Sequence, residues 1–510
     1  MKKVTLTLAA VGFAATIYQK PLSAQPIPPP FPSQVPIANP VAPTNPTAPT
    51  INPVDLIKPQ SPLNSLPPIQ NDSIDTLKID DSFSHEFAQA LGLSETKCNT
   101  LAQARCITLV QVRHTLRQVH SATGIKPALI YAVFVSSTIT PVPTSDQSRS
   151  QNSSGVAQLS LLRSLTASSD DRLELILITA EGEPIRKSVN ATRAEVTQMA
   201  KQFRSAVYDF SNPSGYLAPA QKMYQWLVAP LEENLQQLGI KNLAYIMDTG
   251  LRSIPLAALH DSNKFIIERY SVGLMPSFSL TDTRYTNIRN VQLLAMGASH
   301  FSDQSSLPAV PIELSEITQT WQGKSFLNQD FTLDNLKSQR ALSPFGIIHL
   351  ATHADFIPGK SANSYIQLAD TKLTFNQVRT LGWNKPPVEL LVLSACRTAL
   401  GDDQVQLGFA GLALQAGVKS ALASLWYVSD QGTLGLITEF YQQLRIVPIK
   451  AEALRQAQVA MLRGQVRFKG GKLVTSEGEF PLPPELARWE NQDLSHPFYW
   501  SGFTMVGNPW

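Results

Sequence analysis

Two apolar runs set the frame of this sequence, each followed within a few residues by a side chain able to carry chemistry. The first, FGIIHLATHADF from Phe345, delivers His353; the second, VELLVLSACRTALG from Val388, delivers Cys396. Short unbroken apolar runs suit strands buried on both faces of a parallel sheet, and such sheets place ligands beyond the carboxyl ends of their strands. Both residues fall at such ends. If the two strands are neighbours, at the ~4.8 Å spacing of a sheet, imidazole and thiol meet over one rim. A free thiol with a pKa of ~8.5 is mostly protonated at neutral pH, whereas an adjacent imidazole can take the proton and leave a thiolate able to attack a carbonyl. Taken singly, a Cys in an apolar strand is usually a small buried hydrophobe and a lone His a structural one. Their joint placement at two strand ends favours the chemical reading.

The order His then Cys, with a separation close to the roughly 50 residues of caspases, is suggestive, but the local caspase signature around the Cys is absent. The segments HLATHA, LVLSACRTALG, GFAGLALQAGVKSALASLW with Val428 and Asp430, FYQQL at 440–444 and HPFYWSGFTMVGN at the C-terminus resemble the CHAT-domain family, a branch of the caspase-like cysteine peptidases. The likeness runs in order from near Leu243 to the end and takes in DTGLRSIPLAALH and YSVGLMPS. It implies an α/β fold: a caspase-like α/β/α sandwich with a mostly parallel central sheet, preceded by a smaller α/β N-terminal region. It also implies a catalytic dyad of His353 and Cys396. Many members carry Gly after the histidine; here the residue is Ala354, which bears on the shape of the oxyanion site.

The 510 residues are enough for two or three domains. Sixteen of the 37 prolines lie between Pro21 and Pro68, which separates an extended spacer from ordinary globular sequence. Residues 1–24 combine two lysines with the apolar run VTLTLAAVGFAATIY and a cut site after Ala24, the pattern of a secretory signal, although Leu22 occupies a position that prefers a small residue. Residues 25–70 read as a semi-rigid proline-rich linker. Residues 71–241 read as the N-terminal helical and α+β part of the CHAT module, and 242–510 as the peptidase domain. The expected location is the periplasm or the extracellular space if the signal is used, and the cytoplasm otherwise, with no stable membrane span. A net charge of +3 with 16% charged residues and no basic stripe argue against a nucleic-acid partner.

Within 71–241, Phe83, Phe87, Leu91 and Leu93 mark one amphipathic helix. Leu101, Leu109, Val112, Leu116 and Val119 mark another that stops near Gly124. ALIYAVFVSS from Ala128 and LELILITA from Leu173 read as strands that pair, separated by the polar loop TSDQSRSQNSSG. Two further helices follow between Glu195 and Leu238. Cys98 and Cys106 either form a disulfide, which an oxidising compartment favours, or remain two thiols. With three cysteines in all, Cys396 is the one whose role requires it free. Downstream, LAYIMD at 243–248, SIPLAAL, a hairpin-like KFIIERYSVGLMPS, QLLAMGAS and SALASLW read as strands alternating with helices such as FTLDNLKSQR and LGFAGLALQAG, the α/β pattern.

The expected chemistry is peptide hydrolysis through a thioester. Cys396 is the nucleophile and His353 the general base and then acid, with backbone N–H groups of Ala354 and Cys396 holding the oxyanion. Trp426 and Asp430 are the candidates to line a substrate pocket, where an acidic floor would favour Arg or Lys; Asp430 can equally cap the helix that follows. Asp355, Asp402 and Asp403 read as solvated loop charges. His349 reads as a hydrogen-bonded core residue and His300 as the reserve base. No Cys/His spacing suits a metal, and no phosphate loop or GxSxG elbow is present, so no cofactor is expected. The expected partners are a protein or peptide substrate and a regulatory protein. The alternative function is a catalytically silent caspase-like module that binds peptides without cutting them.

Overall fold

The computed structural model describes residues 78–90, 107–136, 167–209, 211–355, 364–395 and 408–510, all within the compact unit Asn71–Trp510. The leader, the proline-rich spacer, Leu91, Leu93, Cys98, Leu101, Cys106, the 144–155 loop, Cys396, Asp402 and Asp403 lie outside the described residues.

The N-terminal elements are helices α1 (Lys78–Ala90) and α2 (Leu109–Thr123), strands β1 (Pro127–Val135), β2 (Arg172–Ile178) and β3 (Ile185–Thr192), and helices α3 (Arg193–Tyr208), α4 (Leu217–Leu227) and α5 (Glu232–Gln237). Helix α2 starts on a Thr108 capping box and stops at Gly124, whose φ of 72° suits a residue without Cβ. β1 reads PALIYAVFV and is buried along its length, because helices cover both faces. Leu129, Tyr131 and Val133 pack with Ile79, Phe83, Val112 and Leu116 of α1 and α2. The alternate Ile130, Ala132 and Phe134 pack with Val196, Phe203 and Leu227 of α3 and α4. The buried Asp80 fastens α1, its carboxylate accepting from the Tyr131 hydroxyl and from the Phe278 and Ser279 N–H groups at 2.9, 2.7 and 2.9 Å.

Next come β4 (Asn242–Met247), β5 (Ser271–Leu274), β6 (Gln292–Gly297), α6 (Val310–Thr320), β7 (Gly323–Leu327), α7 (Leu333–Leu342), β8 (Phe345–Ala351), β9 (Ala354–Asp355), β10 (Tyr365–Gln367), β11 (Lys372–Thr374), α8 (Phe375–Thr380) and β12 (Leu390–Ser394). The chain closes with α9 (Gly408–Gln415), β13 (Ser420–Ser424), α10 (Asp430–Leu444), α11 (Lys450–Leu462), β14 (Arg467–Lys469), β15 (Lys472–Val474), β16 (Glu479–Pro481), α12 (Pro497–Trp500) and β17 (Phe503–Gly507).

Eleven strands form one sheet in the order β3-β2-β1-β4-β5-β17-β13-β12-β8-β6-β7, with separate three-stranded sheets β11-β10-β9 and β14-β15-β16. The large sheet runs unbroken across residue 242, since β1 pairs in parallel with β4; the upstream strands extend the sheet of the downstream part. β1, β4, β5 and β17 run one way, and β17 meets β13 antiparallel. From β13 through β12, β8 and β6 to β7 every pair is parallel again. The sheet is therefore mostly parallel, in two halves of opposite direction.

SIPLAAL does not form a strand. Pro255 lacks an N–H and fixes its φ, and the segment closes instead into a 3-10 turn at Leu256–Ala258. KFIIERYSVGLMPS is likewise no hairpin: a 3-10 turn at Ile266–Glu268 leads into β5, which pairs in parallel with β4. No helix among the described residues is long and apolar enough to cross a membrane.

Candidate active site

β8 and β12 lie side by side in the parallel half of the sheet. Their register places Leu390 opposite Ile347, Val392 opposite His349 and Ser394 opposite Ala351. The Thr352 N–H continues the ladder to the Ser394 carbonyl at 3.2 Å. Both strands are wholly buried, so their register is fixed by packing on two faces. His353 stands two positions past Ala351, and Cys396, outside the described residues, two positions past Ser394 in the sequence. The last described residue on that side, Ala395, is buried, and its carbonyl accepts from the Ser424 hydroxyl at 2.6 Å.

His353 is partly buried and held on two sides by the loop that follows β6. Its Nε2 lies 2.8 Å from the Ser305 carbonyl oxygen, and the Phe301 ring sits 4.6 Å away, centroid to centroid. A carbonyl can only accept, so Nε2 carries the proton and Nδ1 is the basic nitrogen. The Gln367 N–H donates to the His353 carbonyl at 2.8 Å, and Ile366 pairs with Ala354. In an antiparallel ladder the positions alternate, so the Ala354 N–H turns away from β10 on the outer side of β9.

The loop carrying Phe301 and Ser305 is itself tied down. The Ser299 N–H donates to Asn328 Oδ1 at 2.8 Å, the Leu307 N–H to the Ser299 carbonyl at 2.9 Å, and Gln304 Nε2 to the Tyr365 hydroxyl at 3.2 Å. At its far end the Ala309 N–H donates to Asp430 Oδ2 at 3.1 Å. Burial pushes the Asp430 carboxyl up to about 6, and neighbouring Glu313 pushes the same way.

The two residues expected to line a pocket turn inward. The Trp426 indole lies against Gly502, where a Cβ would meet it at 2.8 Å, and its Nε1 faces the Phe498 carbonyl at 3.4 Å. Asp430 is the first residue of α10, but the cap is Ser429, whose hydroxyl accepts from the Gly432 N–H. Among the described residues, Trp426 is committed to packing on Gly502 and Asp430 to a backbone donor. His349 is fully buried, with Nε2 3.0 Å from Glu313 Oε1 and Nδ1 3.3 Å from the Tyr441 hydroxyl, which fits a core residue. His300 is exposed, its Nδ1 2.8 Å from its neighbour Ser299 Oγ.

Three features at this rim escaped sequence reasoning: the Phe301 ring, the Ser305 carbonyl and Tyr427. Tyr427 is 48% exposed, and its hydroxyl reaches Asp355 Oδ1 at 3.3 Å. The turn-rich FSDQSSLP after QLLAMGAS marks a loop at the same rim, but no pattern says that one of its carbonyls meets an imidazole.

The CHAT domain model matches residues 217–508, more than half of the chain, and the protein belongs to the CHAT-domain family. Its fold is mixed α/β with a large, mostly parallel central sheet. Among solved structures it is similar to the Arg-specific cysteine proteinase gingipain R (10% identity, TM-score 0.35, covering 57% of this chain and 67% of that one). A complex of the pro- and mature domains of Porphyromonas gingivalis RgpB matches at 12% identity and TM-score 0.35, over 57% of this chain and 69% of that one. The separase–securin complex of Saccharomyces cerevisiae matches at 9% identity and TM-score 0.46, over 87% of this chain but only 34% of that one. No curated protein matches in sequence.

Proposed function

We propose that this chain is a cysteine-type endopeptidase acting through His353 and Cys396. The observation that supports the reading is the register of β8 and β12, which sets Ala351 opposite Ser394 on adjacent parallel strands, with His353 and Cys396 each two positions further on in the sequence. In the first step His353 Nδ1 takes the thiol proton while sulfur attacks the peptide carbonyl. The oxyanion is held by the Ala354 and Cys396 N–H groups, a contribution of ~10²–10³ in rate where such donors have been removed. The C–N bond then breaks, and the imidazolium gives its proton to the leaving amine, which departs with a new N-terminus. Water, deprotonated by the same imidazole, attacks the thioester; the acid leaves and the thiol is restored. The Ser305 carbonyl keeps the tautomer correct throughout.

The substrate is a protein or peptide. Alkylation by an iodoacetamide probe, read at Cys396 by peptide mass spectrometry, tests the dyad. The expected result is rapid modification that slows to the rate of free cysteine in His353→Ala. Equal, slow rates in both proteins would overturn the enzyme reading and favour a silent peptide-binding module. Cleavage of a proteome-derived peptide library, with Cys396→Ala as control, then identifies the preferred site.

A further inference from the structure

We infer that Asp430 is a positioning residue that braces the loop holding His353 against the start of α10. The inference rests on the dyad reading and deepens it. Asp430 opens α10, six positions past the end of β13, the neighbour of β12. Its carboxylate reaches across to the Ala309 N–H at 3.1 Å, a contact spanning 121 positions of sequence. Ala309 ends the loop that begins at Ser299 and supplies both contacts to His353, the Ser305 carbonyl and the Phe301 ring.

The two loops that leave β6 and β13 at one rim are thus joined by a hydrogen bond whose acceptor is a carboxylate. A charged acceptor in a partly dry setting holds more firmly than a neutral one, and the groups facing it are few. Glu313 on α6 opposes its charge, and Arg488 on the 3-10 turn Pro484–Trp489 favours it. The carboxylate retains this acceptor role despite burial that disfavours its charge. Loss of the brace leaves the Ser299–Asn328 and Gln304–Tyr365 ties in place, so the loop shifts rather than unfolds. A small shift of the Ser305 carbonyl is enough to turn the ring.

The test uses the full chain and the same iodoacetamide probe at Cys396. Asp430→Leu, which fills the volume but accepts nothing, is expected to slow labelling ~10-fold, in line with misplacement caused from outside the reacting groups, and to displace the pH midpoint of the rate. Asp430→Asn keeps an acceptor oxygen and is expected to label within about two- to threefold of the wild type. If Asp430→Leu does not fold, the ratio of Asp430→Asn to wild-type rates across pH 5 to 8 decides. A change in that ratio near pH 6 supports the brace, because only the wild type gains a charged acceptor there. Wild-type labelling and an unchanged pH profile in Asp430→Leu, or a flat ratio for Asp430→Asn, overturns it. Slow labelling of the wild type itself, matched by His353→Ala, would instead mean that the dyad reading has failed.

Discussion

Ala351 and Ser394 sit opposite each other on neighbouring parallel strands, and two positions further on in the sequence stand His353 and Cys396, the residues of the proposed dyad. Two buried strands thereby fix where the chain that carries His353 leaves the core. The immediate environment of His353 is then set by the loop from β6, through Ser305 and Phe301.

The close approach of β6 and β8 gives the first prediction. A Cβ on Gly297 would lie 2.7 Å from the Ala351 carbonyl and 2.7 Å from Val310 Cγ1, so Gly297→Val forces the strands or α6 apart. Overpacking of this kind costs about 1–3 kcal/mol. Denaturant unfolding should show that loss, and probe labelling at Cys396 should fall with it.

Phe301 offers a change that separates site geometry from stability. It is partly buried and rests on the His353 ring. Phe301→Ala should lower the labelling rate at Cys396 ~10-fold with a smaller effect on the melting temperature than Gly297→Val. A rate equal to the wild type would show that the Ser305 carbonyl alone orients the imidazole.

The buried pair His349 and Glu313, 3.0 Å apart, should behave as a unit. Glu313→Leu leaves the imidazole without its partner and is expected to cost about 1–3 kcal/mol. The double variant with His349→Leu should recover part of that loss, because two apolar groups then face each other. A double-mutant cycle by urea unfolding measures the coupling.

The raised carboxyl of Asp430 makes stability depend on pH in a definite direction. The folded chain holds this proton up to about pH 6, whereas an unfolded carboxyl releases it near 3.8, so the folded state binds more protons between those values. Stability from this group is full below the lower value and is lost as pH rises through the upper one. Asp430→Asn should therefore be more stable than the wild type at pH 7.5, by ~1–3 kcal/mol, with the advantage shrinking toward pH 4. Thermal melts of both proteins at the two pH values check it; an advantage that grows toward acid would contradict the assignment.

The strands that carry the site were legible because FGIIHLA and LLVLS are apolar without alternation, and burial on two faces demands just that. The strand–helix alternation of the fold was legible for the same reason. SIPLAAL misled because its composition is strand-like while Pro255 forbids a ladder position. β3 went unread: IRKSVNAT is an edge strand with exposed charges, and its pattern looks like a loop. The role of Asp430 could not be read at all, since its donor is a backbone N–H 121 positions away and neither residue signals the other. The packing of Trp426 against Gly502 was not legible, because an aromatic at a strand end looks the same whether it opens to solvent or turns inward.

The reversal of strand direction between β17 and β13 has a practical side. β1 ends, at Val135, at the margin of the sheet opposite the one from which His353 emerges. A handle inserted directly after Ser136 would therefore leave the sheet at the margin away from His353.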